Sequence, residues 1–323
     1  MLRFVARRLA STALVMFAIS VMVFLIFFAT PGVDPAARIA GRNADQATLL
    51  AVRRDFGLDK PMPVQYALMM KKLFISRDLT SFVNRGAKVI PQVIEAAPVT
   101  FSLVVGASVI WVMFSIGLGL IAAVLRGTPV DATVMTVGLI GISMPVFWVG
   151  EVVNMLSQSR FHDTFLFSWV PPLGYTPLSD SPVGWFKSLL LPWLMLSVLY
   201  IGLYARVLRS SLVAAQEEDY VRTARAKGLT EHRVLIRHAL RTSLIAFVSL
   251  FGLDFGALVG GGALLTEVVF GLHGVGWLTY TALSNFDLPV IMATVMYAAF
   301  FVVLANAVVD LVYALLDPRV RHA

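Results

Sequence analysis

The chain contains no cysteine, which excludes disulfides, thiolate metal sites and a cysteine nucleophile. Charge is scarce too: Asp, Glu, Lys and Arg make up 14% of 323 residues, against 58% hydrophobic. The five histidines (His162, His232, His238, His273, His322) form no His-Glu-x-x-His pattern, and His232 and His238 lack metal-ligand spacing. There is no Gly-x-Ser-x-Gly elbow and no Gly-x-x-x-x-Gly-Lys loop to cradle phosphate. An intramembrane enzyme therefore lacks a recognisable nucleophile or metal set. If the protein uses ATP, another chain must bind it. No low-complexity segment and no inverted internal repeat is evident.

What the chain has in abundance is apolar sequence. A mean hydropathy of +0.81 places it among polytopic membrane proteins, all-α in class. Six runs are long enough to span a bilayer at about 1.5 Å per residue. They cover roughly 9–29, 99–125, 132–156, 189–207, 244–265 and 290–315. The first lacks the short apolar region and small residues of a cleaved signal peptide, since Phe27 and Phe28 stand at its end. Fourteen Lys and Arg residues then fall at the N-terminus, in the Arg126 turn, between Arg206 and Arg241, and in the tail, while the two short outer loops hold only Arg160 and Lys187. Both termini are thus expected in the cytoplasm. The ten Lys and Arg of region 31–97 conflict only mildly with this layout, because the charge rule is weak for loops of that length. The net charge of +7 and the pI near 9.9 follow from cytoplasmic loops rather than nucleic-acid binding.

The expected domain layout is a first span (1–30), an extracytoplasmic loop (31–97), a five-span core (98–316) and a cytoplasmic tail (317–323). The outer loop is not shapeless. Leu49, Val52 and Phe56 form one helical face ended by Gly57, and 64–74 gives a second amphipathic segment. Trp169, Tyr175, Trp185 and Trp193 suit the membrane–water interface.

Ionisable groups within spans are costly and tend to face a cavity or a partner. Glu151 and Asp254 are therefore candidates to line a pathway and to attract a cation such as a peptide's amino terminus; the alternative is hydrogen bonding to neighbouring helices. Asp310, near the inner face, reads as structural. Pro145 is expected to kink or open the third span. Gly252, Gly256 and Gly260 recur every four residues, a stripe that favours close helix packing.

Residues 214–240 are the one long, strongly charged stretch in the apolar part of the chain. Val221, Ala224 and Gly228 share a helical face, and after Gly228 the residue Thr230 is placed to cap a second helix with Glu231 in its first turn. Two short helices meeting at a glycine make a knob that a soluble partner could grip.

That stretch, 219–229 with 237–241, resembles the cytoplasmic coupling loop of ABC-importer permeases, and more narrowly the dipeptide/oligopeptide/nickel branch of binding-protein-dependent systems. The similarity extends over nearly the whole chain: Ala6-Arg7-Arg8-Leu9, Gly57-Leu58-Asp59-Lys60-Pro61, Met144-Pro145-Val146-Phe147-Trp148, Glu267-Val268-Val269-Phe270-Gly271 and Leu316-Asp317-Pro318-Arg319. Where the general permease loop has Glu-Ala-Ala, this chain has Arg222, Thr223 and Ala224, a departure usual for the peptide branch. The resemblance implies a type I ABC-importer permease fold in a bacterial inner membrane, with a coupling loop at 208–242. It implies a second, homologous permease, two cytoplasmic ATPases and an extracytoplasmic solute-binding protein as partners. This chain would bind no cofactor and no metal, with ATP and Mg used by the ATPases. The coupling residues it implies are Asp219, Tyr220, Arg222, Thr223, Ala224, Arg225, Lys227, Gly228, Leu229 and Leu240. The competing expectation is a secondary transporter driven by an ion gradient through Glu151 and Asp254.

Overall fold

The computed structural model describes residues 2–28, 34–40, 44–84, 86–159 and 161–316, without the side chains of 2–6, 8, 9, 38 and 310–316. The tail 317–323, Arg160 and the side chains of Arg3, Arg8 and Asp310 thus lie outside the described residues. The regular elements described are helices, beside one isolated bridge between Thr80 and Lys88. In order they are α1 (Leu2–Phe28), α2 (Pro35–Ala40), α3 (Gln46–Phe56), α4 (Met62–Met70), α5 (Val89–Val124), α6 (Pro129–Ser143) and α7 (Val146–Gln158). Then come α8 (Pro182–Gln216), α9 (Asp219–Ala226), α10 (Glu231–Val234), α11 (Leu240–Ala257), α12 (Leu264–Val269), α13 (Val275–Asn285) and α14 (Leu288–Leu316). Five-residue π-turns extend α4, α10 and α11.

Five helical stretches are long and apolar enough to cross a membrane, and six if α6 and α7 count together. The α5 and α8 helices run well past the lengths expected for their spans. At 36 and 35 residues each reaches more than about 50 Å, against a hydrocarbon core of about 30 Å. The stretch expected as the third span departs most from expectation. It is two helices bent by 87°, because Met144 and Pro145 are both extended (ψ 133° and 106°) and end one helix before the next begins. The proline ring disfavours a helical residue before it; Pro98 and Pro192 are tolerated inside α5 and α8, whereas at Pro145 the break falls at Met144.

The chain divides into two compact units. One comprises Met1–Phe101, Gly256–Val268 and Leu272–Ala307; the other comprises Ser102–Phe255, Val269–Gly271 and Val308–Ala323. In the first, the outer region is an ordered packing layer. The expected face of α3 is present: Val52 and Phe56 are buried and Leu49 packs against them. Asp45 caps this helix by accepting from the Thr48 amide at 2.8 Å, and Gly57 ends it in the left-handed conformation at φ 60°. Ile39, Met69, Leu73 and Leu79 join Phe24 and Phe28 of α1 and Val290 to Met296 of α14 in one cluster. Each such fully buried side chain stabilises by about 1.5–3 kcal/mol where the alternative is water. Gly256 and Gly260 lie against α14: a Cβ at Gly256 would sit 2.3 Å from Cβ of Ala305, and one at Gly260 would sit 3.0 Å from Cα of Ala298. Gly256 and Gly260 of the expected stripe thus serve helix packing.

The second unit is held differently. Lipid tails are as apolar as leucine, so apolar contact alone does not select one helix arrangement over another. Close approach does. The Gly106 face of α5 takes the Trp193 indole of α8, whose Nε1 donates to Ser102 O at 2.9 Å. Gly138 of α6 meets Gly202 of α8 so closely that a Cβ on Gly202 would lie 2.3 Å from Gly138 O.

A side chain at Gly202 would strike backbone, which cannot move aside as a flexible side chain does. Gly202→Val should therefore lower the unfolding free energy of the detergent-solubilised protein by about 1–3 kcal/mol. Gly117→Ala, where a Cβ meets nothing within 4 Å, should raise it by about 0.5–1 kcal/mol. Denaturant titration of both variants checks the contrast.

Candidate functional site

The charged stretch folds as a small unit with a core of its own. Val221 and Ala224 of α9 are buried with Val234 of α10, and Leu229 packs on them. The link between the helices is a Schellman motif. Leu229 N donates to Ala224 O at 3.4 Å, and Gly228 N donates to Arg225 O at 2.9 Å. Gly228 has φ +77° and open space around a hypothetical Cβ. The glycine is needed for its backbone conformation, not for room. Thr230 occupies the expected N-cap position of α10 but makes no side-chain cap bond.

This packing sorts the expected coupling residues. Ala224 faces inward, so its small size serves the loop's own core. Arg225 forks onto Glu231, with Nε and Nη2 donating to its two carboxylate oxygens at 2.9 and 3.2 Å, while Nη1 donates to Gln216 O at 3.2 Å. Asp219 and Arg222 form a loose exposed pair at 3.5 Å, which in water contributes little. Thr223 donates to Asp219 O within its own helix. Tyr220, Arg222 and Lys227 are exposed, and Leu229 and Leu240 are half-buried.

The intramembrane candidates part ways. Asp254 is bound to a neighbouring helix: the hydroxyl of the fully buried Tyr204 donates to its Oδ2 at 2.6 Å. Around that bond, Trp111 stacks on Tyr200 with ring centroids 4.6 Å apart, and Phe247 meets Tyr204 edge-on at 4.9 Å. Glu151 is exposed on α7, on the side carrying Phe147, Trp148 and Met155. Pro145 is the N-cap of α7. Among the described residues no group of three or more His, Asp or Glu side chains is placed to hold a metal ion.

Two comparisons bear on this arrangement. Residues 115–322 match the model of the binding-protein-dependent transport system inner membrane component, and residues 1–104 match the N-terminal domain of the same membrane components. The chain belongs to that family. It is accordingly a multi-pass inner-membrane permease component of a binding-protein-dependent ABC importer. A putative peptide transport system permease protein of Brucella abortus (strain 2308) is 36% identical over 318 residues, 98% of each chain. The di/tripeptide transport system permease protein DppB of Pseudomonas aeruginosa is 36% identical over 337 residues, covering 100% of this chain and 99% of its own. The glutathione transport system permease protein GsiC of Pectobacterium atrosepticum is 35% identical over 323 residues, all of both chains. Nothing in these matches supports the ion-gradient alternative.

Besides Asp131, two buried acids of this permease carry no direct sequence mark as working groups. Asp287, in the first unit, is bonded to the Ser81 hydroxyl, and burial pushes its carboxyl above the usual range. Glu267, on α12, is fully buried. Its Oε1 accepts from Thr100 Oγ1 at 2.6 Å, and Oε2 accepts from the Trp277 amide at 2.8 Å. Thr100 in turn accepts from the Val275 amide at 2.8 Å. The carboxylate and hydroxyl together satisfy the free amides at the N-terminus of α13. Gly274 and Gly276 leave the space: a Cβ at Gly274 would meet Glu267 Oε1 at 2.4 Å. An acid followed seven and nine residues later by glycine was the visible cue.

Burial pushes Glu267 up to about 7 from 4.5, against the pull of its Thr100, Trp277 and Gly276 donors. A carboxyl raised in the folded state binds more protons folded than unfolded between those two values. Its contribution to stability is therefore full below about pH 4.5 and is lost as pH rises through 7. The thermal midpoint should fall between pH 5 and pH 8, and Glu267→Gln should flatten that slope; an equally steep variant would contradict the assignment.

At the loop, Gly228→Asn should be tolerated because asparagine accepts the left-handed region, whereas Gly228→Val should disorder the motif. Protease cleavage within 219–240 reads this out, the valine variant being cut first.

Proposed function

We propose that this chain is one of two membrane-spanning subunits of an ATP-driven importer of di- or oligopeptides. The observation that carries the reading is the 219–240 unit. It has its own core, stands between the apolar helices α8 and α11, and turns Tyr220, Arg222 and Lys227 outward in a chain of the binding-protein-dependent family. The peptide substrate is supported by the names of its relatives, which specify peptides, di/tripeptides and glutathione.

In this account the chain crosses the membrane six times, α6 and α7 together making the third crossing, and both termini are cytoplasmic. The first span, outer region, five-span core and tail keep the boundaries 1–30, 31–97, 98–316 and 317–323. The loop 208–242 faces two cytoplasmic ATPases, which bind ATP and Mg and carry out the hydrolysis; this chain is not catalytic. A second, homologous permease pairs with it, and an external solute-binding protein delivers the substrate. ATP binding closes the ATPase pair and displaces the coupling loops; hydrolysis resets them.

The coupling residues divide by task. Tyr220, Arg222 and Lys227 supply the contact, their charge mainly setting orientation and partner choice. Asp219 and Thr223 order the first turn of α9. Ala224, Arg225, Gly228, Leu229 and Leu240 hold the unit in shape, so that a push on α9 reaches α8 and α11 rather than being absorbed. Within the membrane, Tyr204 fixes one oxygen of Asp254 and leaves the carboxylate to attract a peptide's ammonium group. Glu151 offers a second acid on the segment that Pro145 sets at an angle.

Reconstitution with the partner permease, both ATPases and the binding protein should give peptide-stimulated ATP hydrolysis and uptake. Asp254→Asn should lower uptake of peptides with a free amino terminus about tenfold, equivalent to about 1.4 kcal/mol, and leave N-acetylated peptides unchanged. An unchanged peptide profile removes Asp254 from the pathway. Uptake by this chain alone under an ion gradient would overturn the importer reading.

A further inference from the structure

The first turn of α6 carries one half of a buried charge pair. Asp131 is buried, its side chain 7% exposed. It accepts from Arg209 Nε at 3.0 Å, from Arg209 Nη2 at 2.6 Å and from the Gly127 amide at 3.0 Å. The planar guanidinium meets the two carboxylate oxygens fork to fork, a geometry that resists both sliding and rotation. Arg209 lies on α8, which ends at Gln216, with two residues between it and the start of α9 at Asp219.

The pair does not stand alone. Along the same two helices Asp131 meets Arg209, Gly138 meets Gly202 and Gly141 meets Val198. Seven residues forward on α6 correspond to seven back on α8, or about two turns. The two helices are therefore seated in one antiparallel register, locked at one end by charge and further along by backbone contact. A second pair, at 2.9 Å, joins Arg126 in the turn before α6 to Glu217 just past α8, but its side chains are 56% and 65% exposed. Exposed pairs of this kind are screened and weak. Asp131 and Arg209 are the ones whose separation would strand a buried charge.

We propose that the Asp131–Arg209 pair is the joint that makes α6 move with α8 when the loop carrying α9 is displaced. Both residues are positioning residues: neither touches the ATPase-facing side chains or the candidate pathway acids. Their effect is to carry motion from the coupling loop into α6 and, through the Met144–Pro145 break, toward α7 and Glu151. This inference rests on the reading of 208–242 as the coupling loop.

The test uses the complete complex in liposomes, with peptide-stimulated ATP hydrolysis and peptide uptake measured in the same sample. Asp131→Asn and Arg209→Lys should each assemble and hydrolyse ATP, but with uptake per ATP lowered about tenfold, within the span usual for coupling between sites. Exchanging the charges, Asp131→Arg with Arg209→Asp, should restore most of that ratio. Arg126→Ala should leave it unchanged. Single variants with a normal ratio would overturn the proposal. So would loss of assembly in both single variants with no recovery on exchange, which would assign the pair to folding alone. Failure of the unaltered complex to import peptide would instead overturn the importer reading, so the two failures are distinguishable.

Discussion

Inside a hydrocarbon layer, apolar side chains gain no hydrophobic free energy by meeting each other rather than lipid, so a bundle is specified largely by close packing and by a few polar bonds. Most of what distinguishes this chain from a set of interchangeable apolar helices follows from that constraint. Gly138 and Gly202 let α6 come against α8 backbone to backbone, and Gly106 of α5 makes room for the Trp193 indole of α8. The polar bonds then choose one arrangement among those the glycines permit: Asp131 with Arg209, Tyr204 with Asp254, and Ser197 with the Ala107 carbonyl. The first unit obeys a second rule as well, since its outer helices α2 to α4 bury Ile39, Val52 and Phe56.

The same constraint accounts for what was legible in the sequence. Apolar runs announce spans directly, and Leu49, Val52 and Phe56 followed by Gly57 announced α3 and its end. Val221 and Ala224 followed by Gly228 announced the 219–240 unit, although Gly228 stands past the end of α9 in the left-handed conformation rather than on its face. Direction and long-range pairing were not legible. Pro145 marks a break without saying that the two halves diverge by 87°, because periodicity carries no information about the angle between helices. Arg225 reads as free to meet a partner until Glu231 is found across the turn. Asp131 and Glu267 are lone acids in apolar surroundings, and their partners stand 78 and 167 residues away. No local pattern links such pairs.

The proposed function depends on how rigidity is distributed. A loop that merely offered basic side chains to a partner would transmit no displacement. Here the Schellman turn, the small core and the Arg225–Glu231 fork give α9 and α10 a fixed relation, while Arg222 and Lys227 remain at the surface. Around the membrane acid Asp254, the rings of Trp111, Tyr200, Tyr204 and Phe247 supply a firm wall. Stiff elements joined at identifiable bonds are what mechanical coupling requires, since packed interfaces shift between discrete arrangements rather than deforming continuously.

The central claim is that the 219–240 unit is the surface on which the ATPases act. Because the chain has no cysteine, a single cysteine replacing Arg222 is a unique handle in this subunit. Cross-linking from that position in the assembled complex, with and without ATP, tests the claim most directly. The account predicts a product with an ATPase subunit whose yield changes with nucleotide. A product formed only with the external binding protein, or none in a complex that imports peptide normally, would contradict it.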